Sequence, residues 1–281
     1  MTETQIREFT ESDIPRLISL WTEIFGDTQA LVETFFRLLP HFGSCMVAER
    51  DGAICGMASM LTDFLLTDGN SAFSDSEKRF GYLYGVAVQP ESRGKGIGTA
   101  LSRAAAEYAR SNACEYISTL PADTGLYSMY EKTIGTVCRL KRTKVEYVRK
   151  ALSEIPFKLL PAEPEHYFRK RETLLRDTVH LRVSEDSITF LKALCVDGGG
   201  DIYASKDGFG FSASFTRSGD TLRFTEIICE EEHRELLLDC FLTILDAEKA
   251  VYYLPSLSGE DYLAHNCKSL SPDTFWNLTF D

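Results

Sequence analysis

The segment Arg93-Gly94-Lys95-Gly96-Ile97-Gly98 most constrains what this chain can fold into, because it joins a predicted strand to a predicted helix. The strand, residues 82–88, is largely apolar, and the residues after Gly98 are rich in alanine, which favours a helix. Glycine lets a backbone approach a ligand closely, and the first N–H groups of a helix have no partner within it. With two basic side chains added, the turn predicts a binding site for phosphate oxygens.

Two other glycine-rich phosphate-binding motifs do not fit this turn. A Walker loop requires Gly-Lys followed by Ser or Thr, and that triplet is absent from the sequence. The dinucleotide-binding pattern Gly-x-Gly-x-x-Gly would place its third glycine at Thr99 or at Leu101, depending on the glycine that begins it. The turn is therefore neither a Walker loop nor a dinucleotide-binding turn.

The segment is similar to motif A of the GCN5-related N-acetyltransferase (GNAT) family. In that motif a Val-x-Val-x-Pro strand precedes Arg-Gly-x-Gly-Ile-Gly and a helix, and residues 86–90 here read Val-Ala-Val-Gln-Pro. The resemblance implies acetyl-CoA as co-substrate, with the pantetheine arm beside the strand and the pyrophosphate on the turn. A backbone N–H near Val86 or Ala87 would face the thioester carbonyl. The residues implied are Val86, Ala87 and Val88 for the arm, and Arg93, Gly94, Lys95, Gly96, Ile97, Gly98 and Thr99 for the pyrophosphate.

Protonation of the departing thiolate requires an acid, and the resemblance implies a tyrosine. Family members place it in a Tyr-x-Lys/Arg-x-Gly motif, which Tyr130-Glu131-Lys132 matches, although Gly135 comes one residue later than the family spacing. A phenol with a pKa near 10 can protonate a thiolate whose acid has a pKa of about 8.5. We predict Tyr130 as this acid. Tyr127, one helical turn earlier, is the substitute, and a tyrosine that is merely part of the core is the alternative.

The general base is the least defined residue, because residues 82–85 offer no carboxylate. The sequence ends in an aromatic-rich segment and Asp281, and such a segment favours burial. A complete catalytic half followed by a degenerate half resembles the enhanced-intracellular-survival acetyltransferases, in which the C-terminal carboxylate is thought to act as base. The resemblance implies a similar role for Asp281; a terminal segment docked on the second domain is the alternative.

Length and composition predict two domains. A chain of 281 residues exceeds one acetyltransferase fold, and the prolines within residues 151–164 indicate a linker. We predict a catalytic GNAT domain over residues 1–150 and a degenerate GNAT-like domain over residues 165–281. The fold class is α/β (α+β) with a mixed central sheet. In the second half, Cys229-Glu230-Glu231-Glu232 stands where a phosphate turn would be, and its carboxylates would repel a pyrophosphate.

Charge and cysteine usage narrow the class of partner. The net charge of −12 argues against nucleic acid and anionic membranes and mildly favours a cationic acceptor. The alternative is that the acidity serves solubility alone. Eight cysteines form no Cys-x-x-Cys pair and the N-terminus has no apolar signal, which predicts a cytoplasmic protein. Five scattered histidines predict no metal site. The sequence does not determine the oligomeric state, and a homo-oligomer is one of the alternatives.

These observations and the resemblance predict an acetyl-CoA-dependent N-acetyltransferase. It would transfer an acetyl group to a primary amine of a small molecule or peptide by direct attack. The alternative is a non-catalytic acyl-CoA-binding or sensor protein, because the late Gly135 could displace the acid. A third hypothesis is that the protein transfers a longer acyl group.

Overall fold

The computed structural model describes residues 4–67, 78–135, 137–206 and 209–280. It divides into two compact units. The first comprises residues 1–66, 75–140 and 261–270, and the second comprises residues 67–74, 141–260 and 271–281. This division differs from the predicted domains, residues 1–150 and 165–281, because one strand runs through the boundary and a late segment completes the first unit.

Residues 5–148 form one strand, two helices, three strands, a helix, a strand, a helix and a strand, in that order. In chain order they are β1 (Gln5–Glu8), α1 (Ile14–Phe25), α2 (Gln29–Phe42), β2 (Gly43–Arg50), β3 (Ala53–Thr67), β4 (Lys78–Val88), α3 (Ile97–Ser111), β5 (Tyr116–Thr119), α4 (Tyr127–Ile134) and β6 (Cys138–Val148). The later elements are α5 (Pro164–Leu175), β7 (His180–Arg182), α6 (Glu185–Asp197), β8 (Asp201–Ala204), β9 (Phe211–Ser218), β10 (Thr221–Cys229), α7 (Arg234–Ile244), β11 (Lys249–Pro255) and β12 (Glu260–His265). Among the described residues, no helix is long and apolar enough to span a bilayer.

The first unit is built on a mixed sheet with the strand order β1-β2-β3-β4-β5-β12, which confirms the predicted fold class. Only β4 and β5 are parallel neighbours among its described pairs. Their pairing joins Phe80–Leu83 to Tyr116–Thr119 and then stops, whereas β4 continues to Val88. Because β5 ends first, a cleft opens beside residues 84–88 of β4.

Helices cover the two faces of this sheet. On one face α3 packs through alanines, and a Cβ placed on Gly81 of β4 would lie 2.8 Å from the Ala109 Cβ, so the helix lies close to the strand. On the other face α1 and α2 contribute aromatic rings. The Trp21 and Phe35 ring centroids lie 5.5 and 5.7 Å from that of Tyr84. Adjacent residues Leu83 and Tyr84 thus point to opposite faces, as strand geometry requires.

The second unit repeats this plan. Two helices, three antiparallel strands, one helix and a parallel strand follow one another from α5 to β11, and the sheet order is β6-β11-β10-β9-β8. Helix α5 buries only Tyr167, Arg171 and Leu175, so its apolar periodicity is weak.

Helix α5, whose apolar periodicity is weak, contributes to a buried ion pair. The Arg171 guanidinium on α5 donates to both carboxylate oxygens of Glu226 on β10 at 3.0–3.1 Å, and both side chains are almost fully buried. The Tyr167 hydroxyl donates to the same carboxylate at 2.9 Å. Because each charge is desolvated, the loss of one partner leaves an uncompensated buried charge.

We therefore expect Arg171→Met to lower the free energy of unfolding by about 3–5 kcal/mol in urea titrations. The control is Arg176→Met, which removes an exposed ion pair with Asp177 and should cost less than about 1 kcal/mol. The double variant Arg171→Met/Glu226→Leu should recover part of the loss. Equal costs for the two single variants would contradict this account.

Candidate active site

The glycine-rich turn presents unpaired backbone N–H groups at the start of α3. Gly94 and Gly96 have φ angles of +74° and +78°, which glycine adopts without strain, and a Cβ at either position would meet no atom within 4 Å. The first helical hydrogen bond runs from the Ala100 N–H to the Gly96 carbonyl at 3.0 Å. The N–H groups of Ile97, Gly98 and Thr99 therefore have no carbonyl one turn earlier to bond. The surface that results suits phosphate oxygens.

The two basic side chains of the turn brace its backbone. Arg93 Nε donates to the Val88 carbonyl at 3.0 Å, and Lys95 Nζ donates to the Glu91 carbonyl at 2.7 Å. Both side chains are exposed, so their charges stay beside the turn and add to its positive potential. The sequence predicted the charge but not the hydrogen bonds that hold it.

Strand β4 carries a bulge beside the cleft. Ala87 lies opposite Met57 and Tyr84 lies opposite Ser59, so β4 places two residues, Gly85 and Val86, where β3 has only one between them. Gly85 has a φ of +61°, and a Cβ on it would lie 3.0 Å from the Trp21 ring. A bulge of this kind re-aims the backbone, here at residues 85–87. The sequence signal for it was a glycine inside a strand.

Tyr130 lies where β4 and β5 diverge. It is only 4% exposed and packs in the core cluster that includes Leu83 and Ile97. Burial raises the pKa of Tyr130, and a hydrogen bond with Thr119 partly opposes that rise. Thr119 is the last residue of β5, and its Oγ1 donates to the Leu83 carbonyl at 3.0 Å. The phenol is thus protonated at neutral pH and sits at the vertex of the cleft. Sequence reasoning missed Thr119, which no local signal indicated.

The late glycine of the tyrosine motif is accommodated by a longer helix. Helix α4 continues to Ile134 and ends at Gly135, which has a φ of +101°. Thr133 Oγ1 donates to the Tyr130 carbonyl, so the last turn stays closed. The extra residue therefore changes the end of the helix and leaves Tyr130 buried.

Tyr127, the substitute acid, is engaged elsewhere. The Arg139 guanidinium lies 4.1 Å from its ring centroid and pairs with Asp261 at 2.6 Å. Burial raises the pKa of Tyr127 as well. The stacked arginine occupies one face of this ring, so the geometry favours Tyr130 over Tyr127 for the acid role.

The C-terminal segment packs within the second unit up to Phe280. Trp276, Leu278 and Phe280 are buried, and the Phe280 ring centroid lies 5.4 Å from that of Phe190 on α6. The Leu181 N–H donates to the Phe275 carbonyl at 3.2 Å. These contacts give the segment a structural role. Asp281 lies outside the described residues, so its role as base stays a prediction.

Three side chains have ligand atoms close enough together to hold a metal ion. Ligand atoms of Glu230, Glu232 and His233 lie within 4.8 Å of one another at the start of α7. The two carboxylates are exposed, and acidic residues are common at helix starts without a metal. The absence of a metal site therefore stays a prediction.

Known proteins resemble this chain in fold and, over the first unit, in sequence pattern. Residues 7–136 match the model of the acetyltransferase (GNAT) family. A GCN5-related N-acetyltransferase from Kribbella flavida superposes with a TM-score of 0.66 at 16% identity, covering 94% of this chain and 71% of that one. A conserved protein of unknown function from Enterococcus faecalis V583, described as a probable N-acyltransferase, gives 0.68 at 12% identity, covering 97% and 74%. Eis1 from Mycobacterium abscessus gives 0.58 at 13% identity, covering 89% and 65%.

No curated protein sequence matches the chain significantly. These three structural neighbours, each below 25% identity, support the fold alone. The family match supports the assignment of the first unit. The family match, together with the shared fold, supports an acyltransferase. More specifically, residues 7–136 match the GNAT family of acetyltransferases.

The pyrophosphate turn can be tested with a matched pair of glycines. Gly96→Glu should place a carboxylate in the phosphate site and lower acetyl-CoA affinity at least about 100-fold in calorimetry, because like charges repel in a closely approached site. Gly52→Glu is the control, since Gly52 also has a positive φ of +74° and open space but lies in the β2–β3 turn. It carries the same backbone cost and the same charge and should bind acetyl-CoA normally. Unchanged affinity in a folded Gly96→Glu variant would refute the assignment.

Proposed function

We propose that this protein is an acetyl-CoA-dependent N-acetyltransferase that transfers the acetyl group directly to a primary amine of a small molecule or peptide. The observation that carries the proposal is the position of Tyr130 at the vertex of the β4–β5 cleft, with the phosphate-binding turn at the far end of β4. A donor held along β4 would bring its phosphates to the turn and its thioester to the phenol.

The bound donor is oriented by backbone groups. The turn at Gly94 to Thr99 supplies N–H donors for the pyrophosphate, and the pantetheine arm adds to β4 beside Val86 and Val88 like a further strand. Both valines are half-buried at the cleft, whereas Ala87 between them is buried. A backbone N–H of the bulge then faces the thioester oxygen and stabilises its developing negative charge.

The reaction proceeds by a direct attack. The amine nitrogen attacks the thioester carbon, the new C–N bond forms, and the C–S bond breaks with its electron pair on sulfur. Tyr130 gives its hydroxyl proton to that sulfur, and the amine loses a proton to a base or to solvent. We propose Asp281 as this base, in keeping with the resemblance to enhanced-intracellular-survival acetyltransferases.

We expect a cationic amine as the acceptor, because the net charge of the chain is −12. On the α1–α2 face of the sheet, the half-buried Tyr84 packs against the buried rings of Trp21 and Phe35. Asp27 accepts a hydrogen bond from Trp21 Nε1 at 2.7 Å. The half-buried Asp27 carboxylate also suits a cationic amine.

Incubation with acetyl-CoA and panels of polyamines, aminoglycosides and peptide amines tests this proposal, with the acetylated product detected by mass spectrometry. Single-turnover transfer to any of these amines is expected. Tight acetyl-CoA binding with no transfer to any acceptor would instead favour the non-catalytic acyl-CoA-binding alternative.

Tyr130→Phe should lower kcat by about 10²–10⁴-fold with little change in acetyl-CoA affinity, because only the transferable proton is lost. Tyr127→Phe is the matched control, one turn away on the same helix, and should be nearly normal. A reversed pattern would move the acid role to Tyr127.

The pH dependence gives a second signature of the same group. Burial raises the pKa of Tyr130 above its ordinary value of 10, so the acid is lost only as pH rises past 10. The kcat of the wild type should therefore show no loss of this acid between pH 7 and 10 and should fall above that range. A basic limb with a midpoint near pH 8 would contradict the assignment.

The base is tested at the end of the chain. A short Gly-Ser extension after Asp281 moves the terminal carboxylate, and Asp281→Asn removes the side-chain charge. If Asp281 is the base, the protein that carries both changes should show a kcat at least about 10-fold lower, with unchanged acetyl-CoA affinity. Phe280 stays in place in both variants, so its packing on Phe190 is kept. Full activity in the protein that carries both changes would contradict the proposal that Asp281 is the base.

A further inference from the structure

The second unit has a cleft of its own at the equivalent place in its sheet. Parallel pairing of β10 with β11 joins Thr221–Arg223 to Lys249–Val251 and then stops, while β10 continues to Cys229. A cavity of about 110 Å³ lies there. It exceeds the roughly 30 Å³ that one water occupies in the liquid and is large enough for a small polyatomic ion.

The lining of this cavity is polar and carries positive charge. Its polar residues are Arg142, Thr216, Arg223, Thr225, Tyr253 and Asn277. No carboxylate belongs to the lining formed by the described residues. The hydroxyls, the amide and the guanidinium groups all donate hydrogen bonds, which is the set that an oxyanion requires.

Strand register brings several of these side chains to one face. Thr216 pairs with Arg223 across β9 and β10, and Arg223 pairs with Val251 across β10 and β11. Tyr253 lies two residues after Val251 and therefore on the same face. The strands thus fix the positions of these donors, whereas Asn277 comes from the irregular C-terminal segment.

The two arginines differ in their partners. The Arg142 guanidinium stacks over the Tyr253 ring at 3.9 Å from its centroid, and its Nε lies 3.4 Å from Glu260 Oε1, so its orientation is fixed in advance. Arg223 is exposed and makes no hydrogen bond or ion pair with any residue in the described ranges. Its five N–H donors are available to a ligand.

The charges nearby do not cancel this potential. Lys144 and Glu146 pair with each other at 2.6 Å, and Glu260 partly neutralises Arg142. The neighbourhood thus holds three cations, Arg142, Lys144 and Arg223, against two carboxylates, in a chain whose net charge is −12. A locally positive cavity attracts small anions even in a protein whose overall charge is negative.

We propose that this cavity binds a small tetrahedral oxyanion, a phosphate or sulfate group, with Arg223 as the principal contact and Arg142 as the preoriented second guanidinium. The guanidinium fork matches two oxygens of such a group, and the threonine hydroxyls reach the others. This site is separate from the turn at Gly94 to Thr99 and does not depend on the proposed transfer reaction.

Titration calorimetry with inorganic phosphate, at constant ionic strength set by NaCl, tests the proposal on the full chain. Wild-type protein should bind phosphate, Arg223→Gln should weaken binding at least about 10-fold, and Arg223→Lys should give an intermediate affinity because it keeps the charge but loses the fork. Arg142→Gln should also weaken binding. Phosphoserine in place of inorganic phosphate distinguishes a free ion from the phosphate group of a larger molecule.

Two controls separate this site from others. Arg176→Gln removes an exposed arginine elsewhere in the second unit and should leave phosphate affinity unchanged. Gly96→Glu blocks the phosphate-binding turn of the first unit and should leave the Arg223-dependent binding intact. Absence of phosphate binding by the wild type, equal affinity in folded Arg223→Gln, or loss of binding only in Gly96→Glu would each overturn the proposal.

Discussion

The divergence of β4 from β5 is the constraint on which the rest of the site depends. Parallel pairing ends at Leu83 and Thr119, and the Thr119 hydroxyl holds the vertex by donating to the Leu83 carbonyl. Beyond that point β4 has a backbone edge open to a ligand, a bulge that re-aims it, and a turn with free N–H groups at its end. In the proposed reaction, Tyr130 reaches the bound thioester because the vertex lies beside it.

The second unit shows what the same architecture does with different charges. Its parallel pair also diverges, after Arg223 and Val251, but the helix that follows begins with carboxylates instead of glycines. A pyrophosphate is repelled there. The open side of the cleft instead carries arginines, so the repeated fold offers an anion a different place to bind. One fold thereby supports two kinds of site, set by side-chain charge.

Local signals made the first unit predictable. The glycine turn, its flanking strand and the alanine-rich α3 could be read within about 30 residues, and so could α4 with Tyr130. The parts that could not be predicted depend on distant partners. Helix α5 buries an arginine that needs Glu226, 55 residues later, and β12 completes the first sheet from beyond residue 260. The predicted boundary near residue 150 missed the segment 261–270 for the same reason, since strand pairing over such distances leaves no local periodicity.

A crystal structure with bound acetyl-CoA, or with a non-transferring thioether analogue, tests the central claim most directly. The account predicts the pyrophosphate on the N–H groups of Gly94 to Thr99 and the sulfur within hydrogen-bond reach of the Tyr130 hydroxyl, about 3–3.5 Å. A coenzyme bound in the second unit, or a sulfur on the far side of β4 from Tyr130, would contradict it.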